Sequence, residues 1–145
     1  MKWKSVMKFV KNLMVSAGVV LMLGIMSAAA AADGDAALGA KVFVQCKACH
    51  MLEADKKGIG PSLHGVFGRT AGTVKGFEYS KDMKAAGEKG LVWDEATFLA
   101  YIEEPKKYIG SRIGKASADT KMVFVGLKKE KERQDLLAYL KTSTK

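Results

Sequence analysis

Thiols are scarce in this 145-residue chain. Cys46 and Cys49 are its only cysteines, so one disulfide is the most it can form, and a cysteine-dense scaffold is excluded. Histidine is as rare. His50 and His64 are the only two, so a four-ligand zinc site built from nitrogen and sulfur would consume every cysteine and histidine. No acidic residue precedes Asp33, although Lys2, Lys4, Lys8 and Lys11 do. There is no internal repeat, and no nucleic-acid recognition motif stands behind the net charge of +9.

What is present begins with that acid-free start. The four lysines lead into an apolar run from Leu13 to Ile25 and then into "SAAAAAD". A basic start, an apolar middle and small residues describe an export signal, with a cut expected near Ala32. The competing reading is an uncleaved anchor, because Leu13 to Ala32 is 20 residues, about enough to cross a bilayer. Either way the domain is expected over residues 33–145, on the exported, periplasmic side. Those 113 residues keep 20 basic and 15 acidic side chains, a net charge of +5.

Helical spacing appears three times in the domain. Leu38 and Val42 mark a helix over about Asp35–Gln45. "WDEATFLAYIEEP" offers Asp94 as N-cap, Trp93 and Phe98 as a hydrophobic staple, and Pro105 as the stop. Leu136, Leu137 and Leu140 mark a last helix over about Lys129–Thr142. A shorter helix is expected over Ser80–Ala86, closed by Gly87. Between the first two lies "KKGIGPSLHGVFGRTAGTVKGFEYS", with six glycines in 25 residues and no convincing period-2 strand. So long a loop in a small domain wraps something or is disordered, and apolar residues such as Ile59, Leu63, Val66, Phe67, Phe77 and Tyr79 argue against disorder. The expected class is therefore all-α and loop-rich, with an added cofactor completing the interior.

The stretch "VFVQCKACHMLE" suggests what that cofactor is. A redox dithiol would want a βαβ setting that is missing here. A structural disulfide leaves His50 without a role. Cys-x-x-Cys-His is the attachment signature of c-type haem, and it gives all three residues a function. The two thiols would form thioethers with the porphyrin, and the adjacent imidazole would reach the iron. A second axial ligand would come from a methionine, since a thioether raises the potential of a carrier. Met51 is too close to His50 to reach the opposite face, while Met83 and Met122 remain open.

The ordered series "CKACH", "GPSLHGVFGRTAG", "GFEYS", "LVWDEATFLAYIEEPKKYI", "TKMVFVGLKK" and "ERQDLLAYLK" resembles class I cytochrome c. The likeness is to the bacterial periplasmic relatives of the mitochondrial protein, and it covers essentially the whole domain. The resemblance implies the cytochrome c fold around one covalent haem c, with Cys46 and Cys49 as thioether sites and His50 and Met122 as axial ligands. It further implies that the Pro61 carbonyl orients His50, and that Arg69, Tyr79 and Trp93 bond the haem propionates. Tyr101 and Thr120 would lie on the methionine side. Gly39, Phe43 and Tyr139 would join the first and last helices. Three departures stand out: Glu104 and Met83 where the family often has asparagine, and a long connection of 13 residues between Tyr108 and Met122.

The implied function is a soluble, monomeric electron carrier rather than an enzyme. The alternative is a haem enzyme or gas sensor with a labile sixth site. Lys106 to Lys129 holds seven basic residues against Asp119 alone. Lys106, Lys107, Lys121, Lys128 and Lys129 are thus expected to steer acidic redox partners. Those partners would be a quinol-oxidising cytochrome complex and a terminal oxidase, reaction centre or peroxidase. No nucleic acid is expected, and no membrane contact except through partners or a retained residue 1–32 segment.

Overall fold

A computed structural model describes residues 34–56 and 58–145. The export segment expected over residues 1–32 lies outside them. Among the described residues, five helices form the regular structure: α1 (Ala36–Phe43), α2 (Lys81–Glu88), α3 (Glu95–Glu103), α4 (Pro105–Ile113) and α5 (Glu130–Ser143). Among the described residues the one β feature is an isolated bridge between Thr70 and Val92. No described helix is long and apolar enough to cross a membrane. The all-α expectation holds.

The two ends of the domain meet. Asp35 caps α1, accepting the N–H of Ala37 at 2.7 Å and of Leu38 at 3.1 Å. Its own N–H donates to the buried Asp135 carboxylate of α5 at 2.6 Å, and Lys131 pairs with the same carboxylate. Gly39 lets the helices touch: a Cβ there would run into the Asp135 carbonyl and lie 2.8 Å from Cβ of Tyr139. Beside it the Phe43 and Tyr139 rings sit 5.4 Å apart. The α5 stripe Leu136, Leu137 and Leu140 is buried as expected. Each of these leucines contributes about 2 kcal/mol of burial.

The middle helices correct the sequence expectations in three places. Gly87 does not close α2. It lies inside the helix, where a Cβ would collide with the Ala71 carbonyl, and Gly90, at φ 86°, makes the turn instead. Trp93 and Phe98 do not pair as a staple. The Trp93 ring packs on Tyr101 at 4.8 Å and Phe98 on Phe67 at 5.7 Å, so the two rings serve different parts of the core. Asp94 does cap α3, through a reciprocal pair of bonds with Thr97. Pro105 ends α3 but also begins α4, as its first residue, where the missing N–H has no partner to lose. The first five residues of the long connection before Met122, 109–113, are therefore helical, up to Gly114 at φ 82°.

The buried side chains form two groups. Phe43, Phe98, Ile102, Leu127 and the α5 leucines make one, between α1, α3 and α5. Met83, Ala86, Leu91, Tyr101, Ile109 and Ala118 lie at the heart of the other, between α2, α3 and α4. Cys46, Leu63 and Phe67 rest against the first group, Tyr79 and Trp93 against the second, and Met122 against both.

Candidate functional site

The cysteine motif continues the path of α1 as helical turns. The N–H of Cys46 donates to the Phe43 carbonyl at 2.8 Å, and the N–H groups of Cys49 and His50 donate to the Cys46 carbonyl at 3.0 and 2.9 Å. Both thiols and the imidazole therefore leave from one turn. Cys46 and Cys49 are half-buried and not bonded to each other. Burial, with Cys49 adding to it, pushes the Cys46 thiol up to about 11. A redox dithiol needs the opposite shift.

His50 is aimed by the loop that follows. Its Nδ1 lies 2.8 Å from the Pro61 carbonyl. A carbonyl can only accept, so Nδ1 carries the proton and Nε2 keeps its lone pair. Burial lowers the pKa of this ring, with the Pro61 bond partly opposing, so the neutral, ligating form is favoured. Gly60 makes the room: a Cβ there would sit 2.7 Å from Cε1 of His50. Its N–H donates to the Cys49 carbonyl at 2.8 Å, folding the loop against the motif. The composition-based reading missed Gly60, although "GIGPS" carried the signal.

Met122 is held from both sides of the chain. Its Sδ accepts the Tyr101 hydroxyl at 3.1 Å, and its carbonyl accepts the Thr120 hydroxyl at 3.2 Å. Burial pushes the Tyr101 phenol far up, so it remains a donor. Downstream, the N–H of Leu127 donates to the Ile102 carbonyl at 2.8 Å, and the Arg133 guanidinium holds the carbonyls of Leu127 and Lys128 at 2.8 and 3.0 Å. Arg133 also meets Glu103 at 3.5 Å. Nothing in the sequence pattern marked Arg133 for this work. Of the other methionines, Met83 is buried in the second group and Met51 is exposed beside His50.

The remaining expected residues fall in two places. Tyr79 and Trp93 border the second group, in which Tyr101 is buried, and Tyr79 packs on Phe77 at 4.7 Å. Burial raises the Tyr79 phenol, against a lowering by the nearby Arg69 charge. Arg69 organises its own loop, donating to the carbonyls of His64 and Ser62 at 3.0 Å each. His64 is exposed, and its backbone N–H donates to the Ser62 hydroxyl at 3.1 Å. A groove of about 590 Å³ reaches Pro61 and Arg69 but none of Cys46, Cys49, His50 or Met122, so it does not define the site.

The basic segment is less uniformly positive than its sequence. Glu104 lies 3.6 Å from Lys107 and 4.0 Å from Lys128, and Glu132 lies 2.8 Å from Lys129. Lys106, Arg112 and Lys121 form no ion pair among the described residues. Val123 and Val125, 98% and 86% exposed, alternate with the half-buried Met122 and Phe124. The chain therefore sets bare apolar side chains among these charges.

The family model for cytochrome c matches residues 36–144. The chain belongs to the cytochrome c family. A cytochrome c of Stellaria longipes is 47% identical over 115 residues, covering 78% of this chain and 96% of the relative. A cytochrome c2 of Rhodomicrobium vannielii is 44% identical, covering 94% of this chain and 97% of the relative. The solved cytochrome c2 of Rhodospirillum centenum superposes with a TM-score of 0.71 at 42% identity, covering 77% of this chain and all of that one. The protein is a monohaem electron carrier with one covalently attached haem c. The residues present fit that group: two thiols on one turn, an imidazole with a free Nε2, and a glycine leaving space for the ring.

Proposed function

We propose that Cys46 and Cys49 carry the haem through two thioethers, with His50 and Met122 as its axial ligands, in an exported shuttle between membrane or periplasmic redox complexes. The observation that carries this reading is the motif turn itself, with His50 held through Nδ1 by Pro61 at 2.8 Å. When bound, the haem iron supplies a one-electron couple. The protein's part is positional. Pro61 and Gly60 fix the imidazole, Tyr101 holds the Met122 sulfur, and the two apolar groups keep water away. Nothing in that arrangement calls for a bound substrate or an acid–base residue. Arg69, Tyr79 and Trp93 are assigned to the propionates, and Thr120 to the methionine loop.

The Tyr101–Met122 bond favours closed ligation over a vacant, enzyme-like or gas-sensing site. Export of the domain, with residues 1–32 as its signal, rests on the basic–apolar–alanine pattern. The Rhodomicrobium cytochrome c2 alignment, at 94% of this chain, extends into that segment. The test of attachment is intact mass and the pyridine haemochrome spectrum of protein matured in a host competent for c-type haem. One haem per chain is expected. Cys49→Ala is expected to leave a single thioether and to lower unfolding stability by about 2 kcal/mol or more, the size of a comparable cross-link. Unchanged stability would remove Cys49 from the attachment.

Partner docking is assigned to Lys106, Lys107, Lys121, Lys128 and Lys129, in the basic segment that carries Met122. Lys106→Glu/Lys107→Glu/Lys121→Glu is expected to slow electron transfer to an acidic partner about tenfold or more at low ionic strength and to flatten the salt dependence. Stopped-flow rates across a salt series check this. Single changes at Lys106 or Lys121 are expected to exceed that at Lys107, whose charge Glu104 already offsets.

A further inference from the structure

The long connection before Met122 needs something to hold it. After Gly114 the chain doubles back along α4, and the Ala118 N–H donates to the Lys106 carbonyl at 2.9 Å. Gly110 permits the approach, since a Cβ there would sit 2.7 Å from the Lys115 carbonyl. The next residue is caught by α2. Asp82 Oδ2 accepts the Asp119 N–H at 2.8 Å, while Oδ1 accepts Lys115 Nζ at 2.6 Å. Asp82 is 7% exposed.

An acid in the first turn of a helix is ordinarily explained by the helix dipole alone. Here Ser80 already caps α2, accepting the Met83 N–H at 3.2 Å. Both oxygens of Asp82 are spent instead on residues 33 and 37 positions away. Those residues flank the bend at residues 116 and 117, on the way to Met122.

We infer that Asp82 is a positioning residue for the distal ligand, gripping Lys115 and Asp119 so that the extended connection delivers Met122 in one place. The inference rests on Met122 being that ligand. Two residues, Thr120 and Lys121, separate the gripped Asp119 from Met122, so a shift at one end passes to the other with little slack. Downstream, the bonds from Leu127 and Arg133 hold the other end. With Asp82 removed, the Ala118 bond remains and the loop loosens rather than unfolds.

The test compares Asp82→Ala with Asp135→Ala in haem-loaded protein. Asp135 is also buried, also accepts a backbone N–H and a lysine, and joins α1 to α5. It is the control for a merely structural carboxylate. Two readouts are followed in the ferric state: the near-infrared charge-transfer band of methionine ligation, and affinity for imidazole. Asp82→Ala is expected to weaken the band and raise imidazole affinity about tenfold, the scale of a lost hydrogen bond to a charged group. Asp135→Ala is expected to lower the unfolding midpoint and move neither readout. Lys115→Leu, which spares the Asp119 bond, is a milder variant with a smaller shift in the same direction. A wild-type band with both Asp82→Ala and Lys115→Leu unchanged overturns the anchor alone, as does an equal response to Asp135→Ala. A wild-type spectrum without the band overturns Met122 ligation and the anchor with it.

Discussion

Met122→Ala is expected to keep its haem and lose its function as a carrier. The proposed attachment residues Cys46, Cys49 and His50 lie on the motif turn, braced by the Gly60–Pro61 loop, and neither segment contacts Met122 through a hydrogen bond. Intact mass should therefore still show one haem. The ferric charge-transfer band should vanish, and carbon monoxide should bind the reduced protein rapidly. Thioether ligation raises the potential of such centres. Its loss should lower the potential on the order of 0.1 V or more, within the range that axial ligands span. Tyr101 would lose its acceptor, adding the cost of a buried hydroxyl with no partner. Spectra in both redox states with a potentiometric titration measure all of this. A retained band would exclude Met122 as the ligand.

Gly39→Val is expected to be the most damaging single change to stability. Any Cβ at this position meets the Asp135 carbonyl, which is backbone and cannot swing aside. Valine adds two methyl groups to that conflict, so α1 and α5 must separate. Phe43, Tyr139 and the Asp35–Asp135 bond would loosen with them. A loss of about 3 kcal/mol or more is expected. Ala37→Val, on the exposed side of the same helix, should cost only about 0.5 kcal/mol through helix propensity. Urea unfolding of the two haem-loaded variants separates steric conflict from propensity.

Much of the fold was legible because local chemistry dictated it. Asp94 and Thr97 define the start of α3 between themselves, and Leu136, Leu137 and Leu140 declare the inner face of α5. Local chemistry also explains the misreadings. Pro105 can stop one helix or open another, and only the Ile109 and Ala118 packing against Leu91 decides for the second. Gly87 could close a helix or admit a neighbour, and the Ala71 carbonyl uses it for the latter. At the site, the motif turn was readable because its three residues fall within five consecutive positions. The supports of the Met122 segment were not: Arg133 reaches back to Leu127, and Asp82 reaches forward to Lys115 and Asp119. Such pairings depend on tertiary approach, which spacing along a chain does not encode. The basic segment misled in the same way, since Glu104 and Glu132 offset charges that the sequence listed as surplus.

The junction of α1 with α5 bears on how this chain could lengthen near its ligand. Those helices fasten residues 43 and 139 together, so everything between them is one closed circuit. The entropy of closing a circuit grows only logarithmically, about 0.6 kcal/mol for each doubling of its length. Ten or so added residues in a ring already that large are nearly free. The polypeptide can thus experiment with length ahead of Met122 without straining the clasp that keeps its ends together.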